Sequence, residues 1–169
     1  MITNVVYVLF ILAFIVHDGE ELAVQHKWVM AHGEALSAKI PKLRHLFNYI
    51  RQLNTKAFAI AVFEELVLLI AITACALYGC PYAVELWSAI FMAFSVHLIV
   101  HVIQAIVARG YVPGFVSSIL LLPFAYHGMQ SICNTFKTSQ LLLYGMVGVL
   151  LMLVNLAFAH WLGMKIAKR

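Results

Sequence analysis

Charged side chains are scarce in this chain. Among its 169 residues, 11% are Asp, Glu, Lys or Arg, whereas 64% are hydrophobic, and the mean hydropathy is +0.95. Soluble domains carry about 25% charged residues. The composition therefore excludes an ordinary soluble domain and predicts an integral membrane protein.

Several chemical signatures are also missing. The three cysteines, Cys75, Cys80 and Cys133, form no Cys-x-x-Cys pair and no spacing typical of a metal site or a disulfide framework. No Gly-x-Gly-x-x-Gly segment indicates a dinucleotide cofactor. No basic segment precedes the first apolar run, so we expect that run to be retained and not removed as a signal peptide.

Hydrophobic runs of membrane-spanning length occur five times, at about 2–24, 57–78, 82–108, 115–132 and 141–163. The sequence therefore predicts an all-α fold, a polytopic bundle of five transmembrane helices that forms a single membrane domain over residues 1–169. The short Gly79-Cys80-Pro81 segment and the turn at 109–114 predict antiparallel neighbouring spans.

The net charge of +4 does not indicate nucleic-acid binding, because the basic residues lie in connections between the apolar runs. Under one alternation of five spans, the basic connection at 27–56, Arg109 and the basic end at 165–169 share one side, and Lys137 lies opposite. Positive charge marks the cytoplasmic side. This predicts a cell-membrane protein with its amino terminus outside and its carboxyl terminus in the cytoplasm, and Pro41 predicts the start of a cytoplasmic interfacial helix.

The acidic segment His17–Glu21 directly follows the first apolar run. His17, Glu20 and Glu21 stand at i, i+3 and i+4, so they share one helix face, and we expect Asp18 to point elsewhere. One interpretation is a helix end that leaves the bilayer and exposes its carboxylates to water. The other is a site that binds cations, because buried carboxylates must be paired, neutralised or coordinated.

Polar residues in other spans lie at a similar depth. We estimate the depth of each polar residue by counting about 1.5 Å per residue from the nearest basic residue, which places it roughly 9 to 18 Å from the cytoplasmic end of its helix. They come from the first, second, third and fifth spans: His17, Glu20, Glu21, Glu64, Glu65, His97, His101 and Asn155. This agreement across helices favours a shared site.

The ligand inventory predicts a metal site. His17, His97 and His101 with four glutamates suit two divalent ions bridged by carboxylates, as in helix-bundle dimetal proteins. We predict metal ligands at His17, Glu20, Glu21, Glu64, Glu65, His97 and His101, with Gln104 and Asn155 as hydrogen-bonding partners of ligands. Iron or manganese is favoured and zinc is possible. Adjacent glutamates diverge by about 100° and should differ in role, so one of Glu20, Glu21, Glu64 or Glu65 could act as a catalytic base.

Three segments together resemble the HXXEE family of small bacterial membrane proteins. They are HDGEE at 17–21, AVFEEL at 61–66 and HLIVHVIQAIVARGYVPGFVSSILLLPFAY at 97–126. The resemblance implies a multi-span protein of the bacterial inner membrane with a metal-type motif, and it implies no particular substrate.

Four functions are consistent with these features. We favour a metal-dependent membrane enzyme that acts on a lipid-like or apolar substrate, with di-iron oxidoreductase chemistry ahead of a zinc-dependent hydrolase. Intramembrane carboxylates and histidines also mark ion or proton transporters. A structural or accessory protein is the fourth alternative. Membrane lipids are expected partners, and the sequence indicates no oligomeric state.

Overall fold

A computed structural model describes residues 2–168, and the predicted carboxyl-terminal cation Arg169 lies outside this range. Within it the chain forms six α-helices, one short 3₁₀ helix at Pro41–Leu43 and no β-strand. The helices are α1 (Asn4–Lys39), α2 (Arg44–Gln52), α3 (Thr55–Leu77), α4 (Ala83–Ala108), α5 (Phe115–Cys133) and α6 (Thr138–Ala167). The all-α prediction is confirmed.

Three helices of the described residues, α3, α4 and α6, are long and apolar enough to cross a membrane. This supports a membrane protein but gives fewer spans than the five predicted. The two remaining long helices are more polar: α1 carries three carboxylates within His17–Glu21, and α5 contains Pro123 among several polar residues.

Helix α1 is longer than its predicted span. It continues to Lys39 instead of ending near residue 24, because no proline interrupts the chain before Pro41. A residue that precedes proline is driven out of the helical region, and Ile40 has φ −128° and ψ 79°. The short helices that follow, Pro41–Leu43 and α2, occupy the segment predicted to be an interfacial helix.

Tight connections between α3 and α4 and between α4 and α5 place these helices antiparallel. The first turn contains Gly79 at φ 72°, and the second begins at Arg109 with φ 55° and ends at Gly114 with φ 78°. Both loops thus reverse the chain through left-handed residues, as tight turns require.

Helix α6 packs against α3 and α4, α4 packs against α5, and α1 contacts α3 and α5. Glycines allow the closest approaches: Gly148 lies against the backbone of Ala89, and Gly163 against that of Ala57. A buried aromatic group formed by Phe10, Trp87 and Phe91 fills the half of the bundle near the start of α1. The polar residues of α1, α3 and α4 are thereby gathered at the other end of this core.

Candidate metal centre

Four potential metal ligands converge where α1 crosses α4. His17 and Glu21 come from α1, and His97 and His101 come from α4. One ligand atom from each residue lies within 4.8 Å of all the others. The two Nε2 atoms of His97 and His101 are 3.0 Å apart, and His101 Nε2 is 3.3 Å from Glu21 Oε1. His17 and Glu21 are one turn apart on α1, and His97 and His101 are one turn apart on α4, which explains why the members of each pair share a helix face.

These separations are close to those of a metal shell. Tetrahedral ligands at about 2.1 Å from an ion lie roughly 3.4 Å from one another. The two measured separations already have this size, and the widest pair, at no more than 4.8 Å, needs a contraction of at most about 1.4 Å. Small side-chain movements would therefore complete the shell.

His17 offers an unpartnered nitrogen to this cluster. Its side chain is fully buried, and its Nδ1 lies 3.0 Å from Ser117 Oγ. Among the described residues, its Nε2 is buried without a hydrogen-bond partner. A buried imidazole nitrogen left unpaired costs free energy unless a ligand satisfies it, so this nitrogen fits a metal ion.

Gly114 covers the cluster from the α4–α5 loop. A Cβ atom at this position would lie 3.0 Å from the rings of both His17 and His101. Its φ of 78° is also disfavoured for any other residue. The loop backbone therefore packs directly on two of the four candidate ligands.

Glu20 has different partners from Glu21. Its Oε1 accepts hydrogen bonds from the Tyr111 hydroxyl at 2.8 Å and from the Val116 amide at 3.3 Å, and its Oε2 accepts one from the Ser117 amide at 2.6 Å. Burial, followed by the hydrogen bond to Glu20, raises the pKa of Tyr111 to about 12, so the phenol remains a donor. Glu20 thus contacts the start of α5 and is not one of the four converging ligands.

Glu64, Glu65 and Gln104 also lie outside the four-residue cluster. Glu64 Oε2 accepts a hydrogen bond of 3.2 Å from the Asn155 side chain, which joins α3 to α6. Glu65 lines a cavity together with Glu21 and Asn155. Gln104 is exposed on α4. The structure therefore separates the seven predicted ligands into a group of four and three glutamates with other surroundings.

Asp18 is placed differently from our expectation. Only 7% of its surface is exposed, and it lines the same cavity as Glu21 and Glu65. The spacing could have indicated this position, since residues at i and i+3 differ by only about 60° around a helix. Asp18 therefore shares a face with Glu21, although it diverges from His17.

The cavity has a volume of about 330 Å³ and lies between α1, α3, α4 and α6. Aromatic and aliphatic side chains form most of its wall, among them Phe10, Phe14, Leu69, Ile72, Leu86 and Phe94. Its polar lining residues are Asp18, Glu21, Glu65, His97 and Asn155. Along α4, the distance from Leu86 to His97 is roughly 16 Å. The cavity is therefore long, with a mostly apolar wall and polar residues at one end.

Comparison with known proteins agrees with the motif around His17. Neither the curated proteins nor the solved structures contain a match to the chain. A protein-family model described as "Protein of unknown function with HXXEE motif" matches residues 8–127, more than half of the sequence. The matched region contains the four converging side chains. The chain therefore belongs to the HXXEE family.

Proposed function

We propose that this protein is a metal-dependent membrane enzyme with an ion held by His17, Glu21, His97 and His101. One observation carries the proposal: Glu21 and His97 belong both to the ligand cluster and to the wall of the apolar cavity. An ion held there would face a molecule bound in the cavity. A site that only stabilised the fold would not need this opening.

Three imidazoles and one carboxylate suit several ions. Nitrogen and oxygen ligands accept iron, manganese and zinc. When bound, iron or manganese would supply redox chemistry and zinc a Lewis acid. We favour iron or manganese and an oxidoreductase, with a zinc-dependent hydrolase as the alternative. The predicted second ion would have to recruit Asp18 or Glu65, which lie beside Glu21 on the cavity wall.

The cavity favours a lipid-like substrate with a small polar group. Its apolar length accommodates a chain, and its polar end would hold the reacting group beside Glu21 and His97. No Lys or Arg occurs among the described residues that line it, whereas Asp18 and Glu65 do. Asp18 and Glu65 disfavour an anionic headgroup at this end, and an ion held by Glu21 and His97 would disfavour a cationic group beside it, so a neutral group such as an alcohol or an amide fits better.

Among the glutamates predicted to be catalytic, Glu65 is the best placed to transfer protons to a substrate. Glu65 lines the cavity, whereas Glu20 binds the start of α5 and Glu64 binds Asn155. We propose that Glu65, assisted by Asp18, holds or accepts a proton at the polar end. Glu21 would instead bind the ion.

We propose that α1 and α5 also cross the membrane, which makes five spans in one domain. The amino terminus then lies outside, and the metal centre lies near the cytoplasmic side. The basic connection around Lys39 faces the cytoplasm. A single cysteine at position 39 should resist an impermeant thiol reagent in intact cells and react after permeabilisation. Labelling from outside would overturn this orientation.

Metal analysis tests the proposal directly. Protein purified in detergent, or reconstituted separately with iron, manganese or zinc, should bind at least one ion per chain. His97→Ala should abolish this binding. His127→Ala is the matched control, because His127 is exposed on α5 and should retain full occupancy. If well-folded wild-type protein binds none of the three metals, the proposed function fails.

A transporter is the alternative function. Asp18 of α1 is buried and lies near Glu65 of α3, and this pair of carboxylates favours it. Carboxylates within membrane helices often form cation or proton pathways. Uptake of protons or cations by vesicles containing the purified protein would distinguish the two functions. The enzyme hypothesis predicts uptake no faster than in empty vesicles.

A further inference from the structure

Ser117 connects two residues of the HXXEE motif through different atoms. Its backbone amide donates to Glu20 Oε2 at 2.6 Å, and its hydroxyl oxygen lies 3.0 Å from His17 Nδ1. Only 3% of its surface is exposed. Ser117 thus lies directly behind one of the candidate ligands, on the side away from the cluster.

The hydroxyl of Ser117 has one hydrogen, and the Gly114 carbonyl accepts it at 3.2 Å. Ser117 Oγ can then act toward His17 only as an acceptor. Nδ1 of His17 must therefore carry a hydrogen, which leaves a lone pair on Nε2. This is the buried nitrogen without a hydrogen-bond partner among residues 2–168, and a lone pair is what a metal ion needs.

Glu20 fixes Ser117 in this position. Val116 and Ser117 are the second and third residues of α5, where amides have no acceptor within their own helix. The Glu20 carboxylate accepts hydrogen bonds from both amides, and a negative charge is favourable at a helix amino terminus. Tyr111 donates to the same carboxylate, and Trp28 donates to the Tyr111 carbonyl at 2.9 Å. These bonds hold the loop and α5 against α1.

We propose that Ser117, held by Glu20, is a positioning residue that fixes the orientation and tautomer of His17 for metal binding. The two adjacent glutamates of the motif then have separate tasks: Glu21 is a ligand and Glu20 organises the residue behind a ligand. The metal-affinity part of this inference rests on the proposed function. The tautomer part does not.

A variant at position 117 tests the effect on metal affinity. Ser117→Ala should weaken binding of the metal that wild type binds by about 10–100-fold, as expected for loss of a group that orients a ligand. Ser118→Ala is the matched control: Ser118 is fully buried, and its hydroxyl has no hydrogen-bond partner among the described residues. This control should retain wild-type affinity. Equal affinities, or equal losses, in the two variants would overturn the inference.

Coupling to Glu20 provides a second readout. Glu20→Gln should weaken metal binding several-fold by loosening Ser117, and the double variant Glu20→Gln/Ser117→Ala should bind no more weakly than Ser117→Ala alone. Additive losses would show that the two residues act independently, as in a merely structural role, and would contradict the proposal.

Nitrogen NMR of chelator-treated protein separates this inference from the proposed function. In ¹⁵N-histidine-labelled wild type, the signals that disappear in His17→Ala should show a protonated Nδ1 and an unprotonated Nε2. Ser117→Ala should lose this preference, and Ser118→Ala should keep it. A protonated Nε2 in wild type would overturn the inference whether or not metal binds. Absence of metal binding alongside a protonated Nδ1 would instead reject only the metal site.

Discussion

Two Glu-Glu-Leu segments occur in this chain, one in α1 at 20–22 and one in α3 at 64–66. In both, the first glutamate binds a neighbouring helix: Glu20 binds the start of α5 and Glu64 binds Asn155 of α6. The second glutamate lines the central cavity in both cases. The segments therefore use the same division of labour, set by the rotation of about 100° between adjacent helical residues.

The surroundings of the second glutamate make the difference. Glu21 lies one turn after His17 and against His101, so imidazole nitrogens complete a set of ligands around it. Glu65 is not part of that set and shares the cavity wall with Asp18 and Asn155. Nearby histidines, and not the pair of carboxylates, therefore distinguish the candidate metal centre from the rest of the polar end of the cavity.

The largest expected effect separates Glu21 from Glu65. Glu21→Gln should weaken metal binding by at least about 100-fold, because it removes a ligand and not an outer partner, for which losses of 10–100-fold are typical. Glu65→Gln should leave the affinity for the first bound ion almost unchanged. Titration of each purified variant with the metal that wild type binds measures the difference.

The same titration tests the predicted second ion. One ion per chain in wild type, unaffected by Glu65→Gln, would support a site of four ligands. Two ions per chain, one of them lost in Glu65→Gln, would show that the α3 segment also binds metal and would support the dinuclear prediction. In that case both Glu-Glu-Leu segments would contribute metal ligands.

A substitution in the α4–α5 loop, which packs on His17 and His101, is expected to have an intermediate effect on metal affinity. Gly114→Ala would place a Cβ atom 3.0 Å from the rings of His17 and His101, which forces either the loop or the ligands to move. We expect metal affinity to fall by about 10-fold, an effect similar to the loss of an orienting partner.

Gly79→Ala is the matched control for this substitution. Gly79 has a similar φ of 72°, and among the described residues no atom would contact its Cβ within 4 Å. Both variants therefore incur the cost of about 1–2 kcal/mol for a left-handed residue, but only Gly114→Ala disturbs the rings. Equal metal affinity in the two variants would show that the loop does not constrain the ligands.

Much of the fold and part of the candidate site could be predicted from the sequence. Hydrophobic runs located α3, α4 and α6 because their length and composition are local properties. The pairs His17/Glu21 and His97/His101 could be predicted because helical periodicity places residues four apart on one face. The continuation of α1 to Lys39 was not predicted, since a polar helix that extends beyond an apolar run has no hydropathy signal.

The roles of Glu20 and Ser117 could not be predicted for a different reason. Their contact joins residues 97 positions apart, and it depends on how α1 packs against the start of α5. Serine in an apolar helix is common, and nothing in the residues near 117 indicates a histidine partner. The expectation that Asp18 points away from the face of His17, Glu20 and Glu21 was wrong with respect to Glu21, because residues three apart on a helix differ by only about 60° around its axis.

The smallest expected effect concerns the Glu64–Asn155 hydrogen bond between α3 and α6. Glu64→Gln removes the charge but keeps the size and an acceptor oxygen, and hydrogen bonds between membrane helices contribute about 0.6 kcal/mol on average. We therefore expect a small decrease in thermal stability and unchanged metal affinity. Asn155→Leu removes the donor, and the double variant should be no less stable than the less stable single variant if the two side chains contribute mainly through each other. Thermal unfolding in detergent measures stability, and metal titration of the same samples measures affinity. A loss of metal binding in Glu64→Gln comparable to that in Glu21→Gln would contradict the division between the two glutamates of the α3 segment, because it would make Glu64 a ligand instead of a contact between helices.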